Sequence, residues 1–168
     1  VNKVKTLKEG YAMALSALHT PSILLKIIAN KRLEVEKRKA KNPIKNAVPS
    51  VRNFAAAIKS KGMSLIAEIK KTSPSTRHIS KKRFFPALIA QKYEKGGASA
   101  ISVVCDKKFF GGSLADMKKA AENTNKTPIL CKDFFIDEYQ IYEARKYGAD
   151  AILLIAAILT SEQMSRFI

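Results

Sequence analysis

With 168 residues, 46% of them apolar, the chain is long enough for about one domain with a packed core, and no apolar run reaches the ~20 residues of a membrane-spanning helix. Its net charge of +17, from 31 Lys and Arg against 14 Asp and Glu, favours anionic partners. No nucleic-acid-recognition module accompanies that charge, so neither a specific nucleic-acid role nor a membrane role is expected.

The charge is unevenly placed. Residues 1–62 hold 14 Lys and Arg against 3 Asp and Glu, net +11, and residues 63–168 hold 17 against 11, net +6. The first residues mix charged and apolar groups, which does not match a secretory leader. Cys105 and Cys131 are far apart in sequence with no ligand set around them, and read as reduced thiols of a cytoplasmic protein.

Residues 1–19 read as an extra N-terminal segment, expected to be helical, its apolar content being Ala12, Ala14, Leu15 and Leu18. Thr20 followed by Pro21 is a helix start, because Pro at the first position loses no hydrogen bond. The helix is expected to run to about Lys41. Leu24, Ile27, Ile28 and Val35 give it an apolar stripe; Lys31, Arg32, Lys37, Arg38, Lys39 and Lys41 give it a solvated basic face. Pro43 and Pro49 mark a loop, and residues 54–58 read as a short second helix.

The pattern then changes. Short apolar runs at 65–69, 100–104, 129–131 and 151–155 read as buried parallel strands. Helical patterns at about 85–95, 113–123 and 138–147 separate them, and a last helix starts after Thr160, with Gln163 completing a capping box. This is βα repeated four times. Residues 97–104 (GASAISVV) are echoed by 148–155 (GADAILLI), each glycine closing a helix before a strand. Both a (β/α)₈ barrel and an open doubly wound sheet repeat in this way.

Residues that could carry chemistry sit at predicted strand ends. Glu68 and Lys70 are two apart in LIAEIKKTSPS, so on a strand they point to the same side. Charged groups at the end of a buried strand must be paired or lie at a mouth. Ser73 and Ser75 flank a proline and offer hydroxyls for a phosphate or carboxylate. A structural salt bridge beside a polar turn accounts for the same residues. Lys132 closes the third strand. At a mouth it joins Glu68 and Lys70 as a general acid; otherwise it is a surface lysine paired with Asp133. Phe110 and Phe134 stand beside these groups, as wall of an aromatic pocket or as ordinary core. No GxGxxG or Walker loop is present, and His19 and His78 are isolated.

Several of these stretches, in order, resemble indole-3-glycerol-phosphate synthases: 65–75 (LIAEIKKTSPS), 93–103 (YEKGGASAISV), 108–113 (KFFGGS), 132–145 (KDFFIDEYQIYEAR) and 148–159 (GADAILLIAAIL). The resemblance implies an α/β fold of the (β/α)₈ TIM-barrel family. Residues 1–62 would be an N-terminal helical extension closing over the active-site face, and residues 63–168 the first half of the barrel. It implies a carboxy-lyase of tryptophan biosynthesis that cyclises 1-(2-carboxyphenylamino)-1-deoxyribulose 5-phosphate with loss of CO₂ and water, needing no cofactor and no metal. By motif match Lys132 is the general acid of ring closure. Lys70 holds the substrate's anionic groups and serves the dehydration, and Glu68 orients both lysines. Ser73 contacts substrate, and Phe110, Phe134 and Leu153 line the aromatic pocket. Arg77 stands where the family usually has glycine, and Cys105 where threonine is common. A whole barrel takes about 250 residues, so four βα units are expected to leave two open sheet edges. Self-association, or a complementary C-terminal half, follows from those edges, as does the alternative of an inactive or assembly-dependent half-barrel.

Overall fold

The structure is a computed structural model describing residues 22–44, 46, 48–50, 52–59, 62–74 and 84–168. Four strands form one parallel sheet in the order β1 (Ile66–Ile69), β2 (Ala100–Val104), β3 (Ile129–Lys132), β4 (Ala151–Ile152). Preceding the sheet are helices α1 (Ser22–Lys41) and α2 (Phe54–Ile58). The strands are linked by α3 (Pro86–Lys95), α4 (Leu114–Glu122) and α5 (Tyr139–Lys146); a 3₁₀ turn (Ala156–Ile158) and α6 (Ser161–Phe167) follow β4. The expected cap at Thr20, the segment 1–19, Ser75 and Arg77 lie outside the described residues.

Strand alternation decides what each face of the sheet does. Ile69, Ile101, Val103, Ile129 and Cys131 are buried on the helix-covered side with Ala90, Met117, Ala120 and Ala144, and Ile152 and Leu154 pack against this core. Around these the helices pack the larger Ile89, Tyr93, Leu114 and Ile141. The opposite face carries Glu68, Ser102, Leu130 and Ala151 side by side in register. Gly97 and Gly148 take φ of +83° and +95° at the ends of α3 and α5, which accounts for the sequence echo. Thr160 and Gln163 form the expected reciprocal cap of α6.

Three expectations are corrected. The fourth strand pairs only over Ala151–Ile152, with one further bond from Leu153 N to Cys131 O, before the chain winds into the 3₁₀ turn. The apolar run 151–155 is thus a short strand end followed by cleft wall rather than one strand. The first strand starts at Ile66, because the Leu65 carbonyl accepts from Ser99 N and Ala100 N at the sheet margin. Lys31 is not on a solvated face. It is 1% exposed, with its ammonium 2.9 Å from Asp106 and 2.7 Å from Asp133. Lys37, Lys39 and Lys41 stay exposed as α1's composition suggests, whereas Arg32 is half-buried and Arg38 pairs with the buried Glu143 at 2.7 Å.

Glu94 fastens α3 to the loop before β3. Its Oε1 accepts from Asn125, Lys126 and Thr127 N–H at 3.1, 2.9 and 3.0 Å, and from the Thr127 hydroxyl. Partial burial pulls its pKa upward, but these donors outweigh it and hold the carboxyl at about 2. The contribution to stability is present above the unfolded value of 4.5 and is lost as pH falls toward 2. Glu94→Gln should lower the unfolding free energy by about 1–2 kcal/mol at pH 7, a figure discounted for solvent screening of a partly exposed carboxylate. Urea titrations from pH 7 to pH 3 should show the gap shrinking, and a constant gap would contradict the assignment.

Candidate active site at the carboxyl ends of the strands

Because the strands are parallel, all four bring their carboxyl ends to one side, and the sequence places its charged residues there. Glu68, next to last in β1, and Lys70, just beyond it, share a face; Lys132 ends β3 on that same face. Lys132 Nζ donates to Glu68 Oε2 at 2.5 Å, and Lys70 Nζ lies 3.1 Å from Glu68 Oε1. One carboxylate thus bridges two ammonium groups. Partial burial would raise the Glu68 pKa, but hydrogen bonds and charge from Lys132 and then Lys70 prevail and hold it below the ordinary carboxylate value. Lys132 and Lys70 keep 42% and 36% of their side-chain surface, so both remain reachable by a solute. The alternative pairing of Lys132 with Asp133 is not the one formed: Asp133 turns to Lys31.

A small cleft opens on this cluster. Six of the seven expected site residues line it: Glu68, Lys70, Phe110, Lys132, Phe134 and Leu153. The Phe110 and Phe134 rings stand 6.1 Å apart and tilted by 37°, side by side rather than dispersed in the core. Ser73 is half-buried beyond Thr72, whose N–H donates to Phe110 O, and is not among the cleft-lining side chains.

Val104, Asp133 and Ile155 also line the cleft; the sequence had offered Asp133 only as a surface partner of Lys132 and had not singled out the other two. For Val104 and Ile155 the signal existed: alternation from Glu68 through the register puts them on the same face as Leu153. The Phe110 loop is pressed against β2 by Gly112, where an added Cβ would sit 2.0 Å from the Val104 carbonyl oxygen. No side chain larger than hydrogen fits there, which explains the second glycine of the FFGG run.

A parallel βα sheet whose ionisable side chains gather at the carboxyl ends of its strands, with rings on the intervening loops, is the arrangement of the (β/α)₈ class. Comparison with known proteins narrows the class. The family description "Indole-3-glycerol phosphate synthase" matches residues 24–168. Similar proteins bearing that name include one from Leptospira interrogans, 45% identical over 87% of this chain and 56% of its own length. Another, from Bacteroides thetaiotaomicron, is 46% identical over 84% of this chain and 56% of its own. A third, from Neisseria meningitidis, is 46% identical over 86% and 59% respectively. The chain belongs to the indole-3-glycerol phosphate synthase family and spans a little over half the length of these relatives. Among the described residues no helix is long and apolar enough to cross a membrane.

Proposed function

We propose that this chain contributes the acid–base half of a site that cyclises 1-(2-carboxyphenylamino)-1-deoxyribulose 5-phosphate to indole-3-glycerol phosphate. The observation that carries the proposal is the Lys132–Glu68–Lys70 bridge beside the Phe110–Phe134 pair. The flat anthranilate ring of the substrate fits against the rings and Leu153, and its anionic groups fit the two ammonium ions. The Lys132 ammonium gives a proton to the substrate's ketone oxygen as the ring carbon bearing the carboxylate attacks the carbonyl carbon. Loss of CO₂ then restores the aromatic ring. Lys70 holds the substrate's anionic groups and supplies the proton on which the hydroxyl leaves as water. Glu68, kept ionised by its two partners, orients both lysines and favours their charged form; solvent returns the spent protons.

Ser73 is proposed as a further substrate contact. The division into an extension (1–62) and a first half-barrel (63–168) belongs to the same proposal, as does a cytoplasmic setting in amino-acid biosynthesis. Leu65 and Ile66 are exposed at 58% and 43% beside the β1 edge; that margin is where we place self-association or a complementary C-terminal half. In the intact protein, incubation with the named substrate should produce the indole chromophore at a catalytic rate. No indole above the uncatalysed background at saturating substrate would remove the proposal.

A further inference from the structure

We propose that Lys31 is a positioning residue that sets the spacing between the two loops carrying Phe110 and Phe134, and so ties the N-terminal helix to the geometry of the site. The inference rests on the function proposed above and extends it to a residue outside the cleft. Lys31 lies in the middle of α1, and its side chain is 2% exposed. Its ammonium contacts Asp106, just past β2, at 2.9 Å, and Asp133, just past β3, at 2.7 Å; Glu34 lies 3.3 Å away.

Each aspartate organises its own loop. Asp106 Oδ1 accepts from Phe109 N at 2.8 Å, and its carbonyl accepts from Gly112 N at 2.9 Å, which frames Phe110. Asp133 Oδ1 accepts from Phe134 N at 2.8 Å, immediately after Lys132. Asp106 Oδ2 is buried and meets the Lys31 ammonium at 2.9 Å, the charge that balances it. Without that ammonium, two buried carboxylates on adjacent loops would face each other uncompensated and move apart or draw in water. Burial alone would depress the Lys31 pKa, but Asp133 and then Asp106 overcome it and hold the lysine protonated through the physiological range. A buried ion cluster need not add stability over an apolar one of equal volume. Its value here is directional: one cation fixes two loop anchors relative to each other.

The test is Lys31→Met in the intact protein, read by steady-state kinetics per folded molecule and by amide hydrogen exchange. Protection at Phe109, Gly112 and Phe134 should fall at least tenfold. The kcat should fall about 10–100-fold, as expected for displaced reacting groups, with KM changing less than about threefold. If Lys31→Met does not fold, Lys31→Met with Asp106→Asn leaves one uncompensated carboxylate rather than two and carries the same test. Unchanged protection at those three amides overturns the proposal whatever the turnover. So does a lowered Tm with unchanged kcat per folded molecule, which would make Lys31 a stabilising group only. If the wild-type protein does not turn over the substrate, the proposed function fails, and the exchange result alone decides the role of Lys31.

Discussion

Replacing Lys132 by Met should lower kcat by about 10³-fold, within the range a positioned general acid contributes, while the protein stays folded. Lys132 is the cleft residue best placed to deliver a proton: its ammonium is partly exposed and held at 2.5 Å by Glu68. Met keeps the length and the apolar stem but cannot donate. The fold should lose at most about 1 kcal/mol, because partly exposed ion pairs are screened by solvent. Glu68 would keep its contact to Lys70 at 3.1 Å, so its depressed pKa should rise part of the way back. The acid limb of the pH–rate profile of the residual activity should therefore move to higher pH than in the wild type. A kcat within threefold of wild type, with Tm unchanged, would remove Lys132 from the chemistry.

The second large effect falls on stability and at the other end of the sheet. Asp150→Ala should cost about 3–5 kcal/mol, the range for breaking a buried ion pair from one side. At this chain length that is on the order of 10 °C in Tm. The Asp150 carboxylate is fully buried. It accepts from Arg52 Nε at 2.7 Å, Arg145 Nη1 at 3.2 Å and Ile129 N at 2.8 Å, and bonds the Ser50 hydroxyl. One side chain thus joins the segment before α2, helix α5 and the first residue of β3. Removing it takes the counter-charge from two guanidinium groups, which keep only neutral acceptors, and the acceptor from a strand N–H. Asp150→Asn, which still offers an oxygen to Ile129 N, should cost visibly less. Because Ile129 begins β3 and Lys132 ends it, kcat per folded molecule should barely change in either variant. Calorimetry with kinetics on the same samples checks both statements.

The parts of the fold legible in the sequence are those set by local rules. Buried parallel strands are nearly continuous apolar runs, so Ala100–Val104, broken only by Ser102, stood out with its full extent. Phe54–Ile58 and the Thr160 cap follow from local hydrogen bonding, and the observed helix and cap agree. Glu68 and Lys70 were legible because two-residue spacing on a strand has a single outcome. What stayed hidden depends on partners distant in the chain. Lys31 looked like one more cation on a basic helix, since its two aspartates come from loops after different strands. Arg52 and Glu94 were not singled out for the same reason: one pairs with the buried Asp150 and the other binds three backbone amides. The end of β4 was overread because apolar content continues through Ile158 after strand pairing has stopped. Apolarity records burial, not hydrogen-bond pairing.

The most direct measurement follows the carboxyl carbon. With 1-(2-carboxyphenylamino)-1-deoxyribulose 5-phosphate labelled at that carbon, the intact protein should release one labelled CO₂ for each indole-3-glycerol phosphate formed. Lys132→Met should suppress both in parallel. Substrate that binds but keeps its label, or label released at the same rate by the Lys132→Met protein, would contradict a ring-closing role for the Lys132–Glu68–Lys70 cluster.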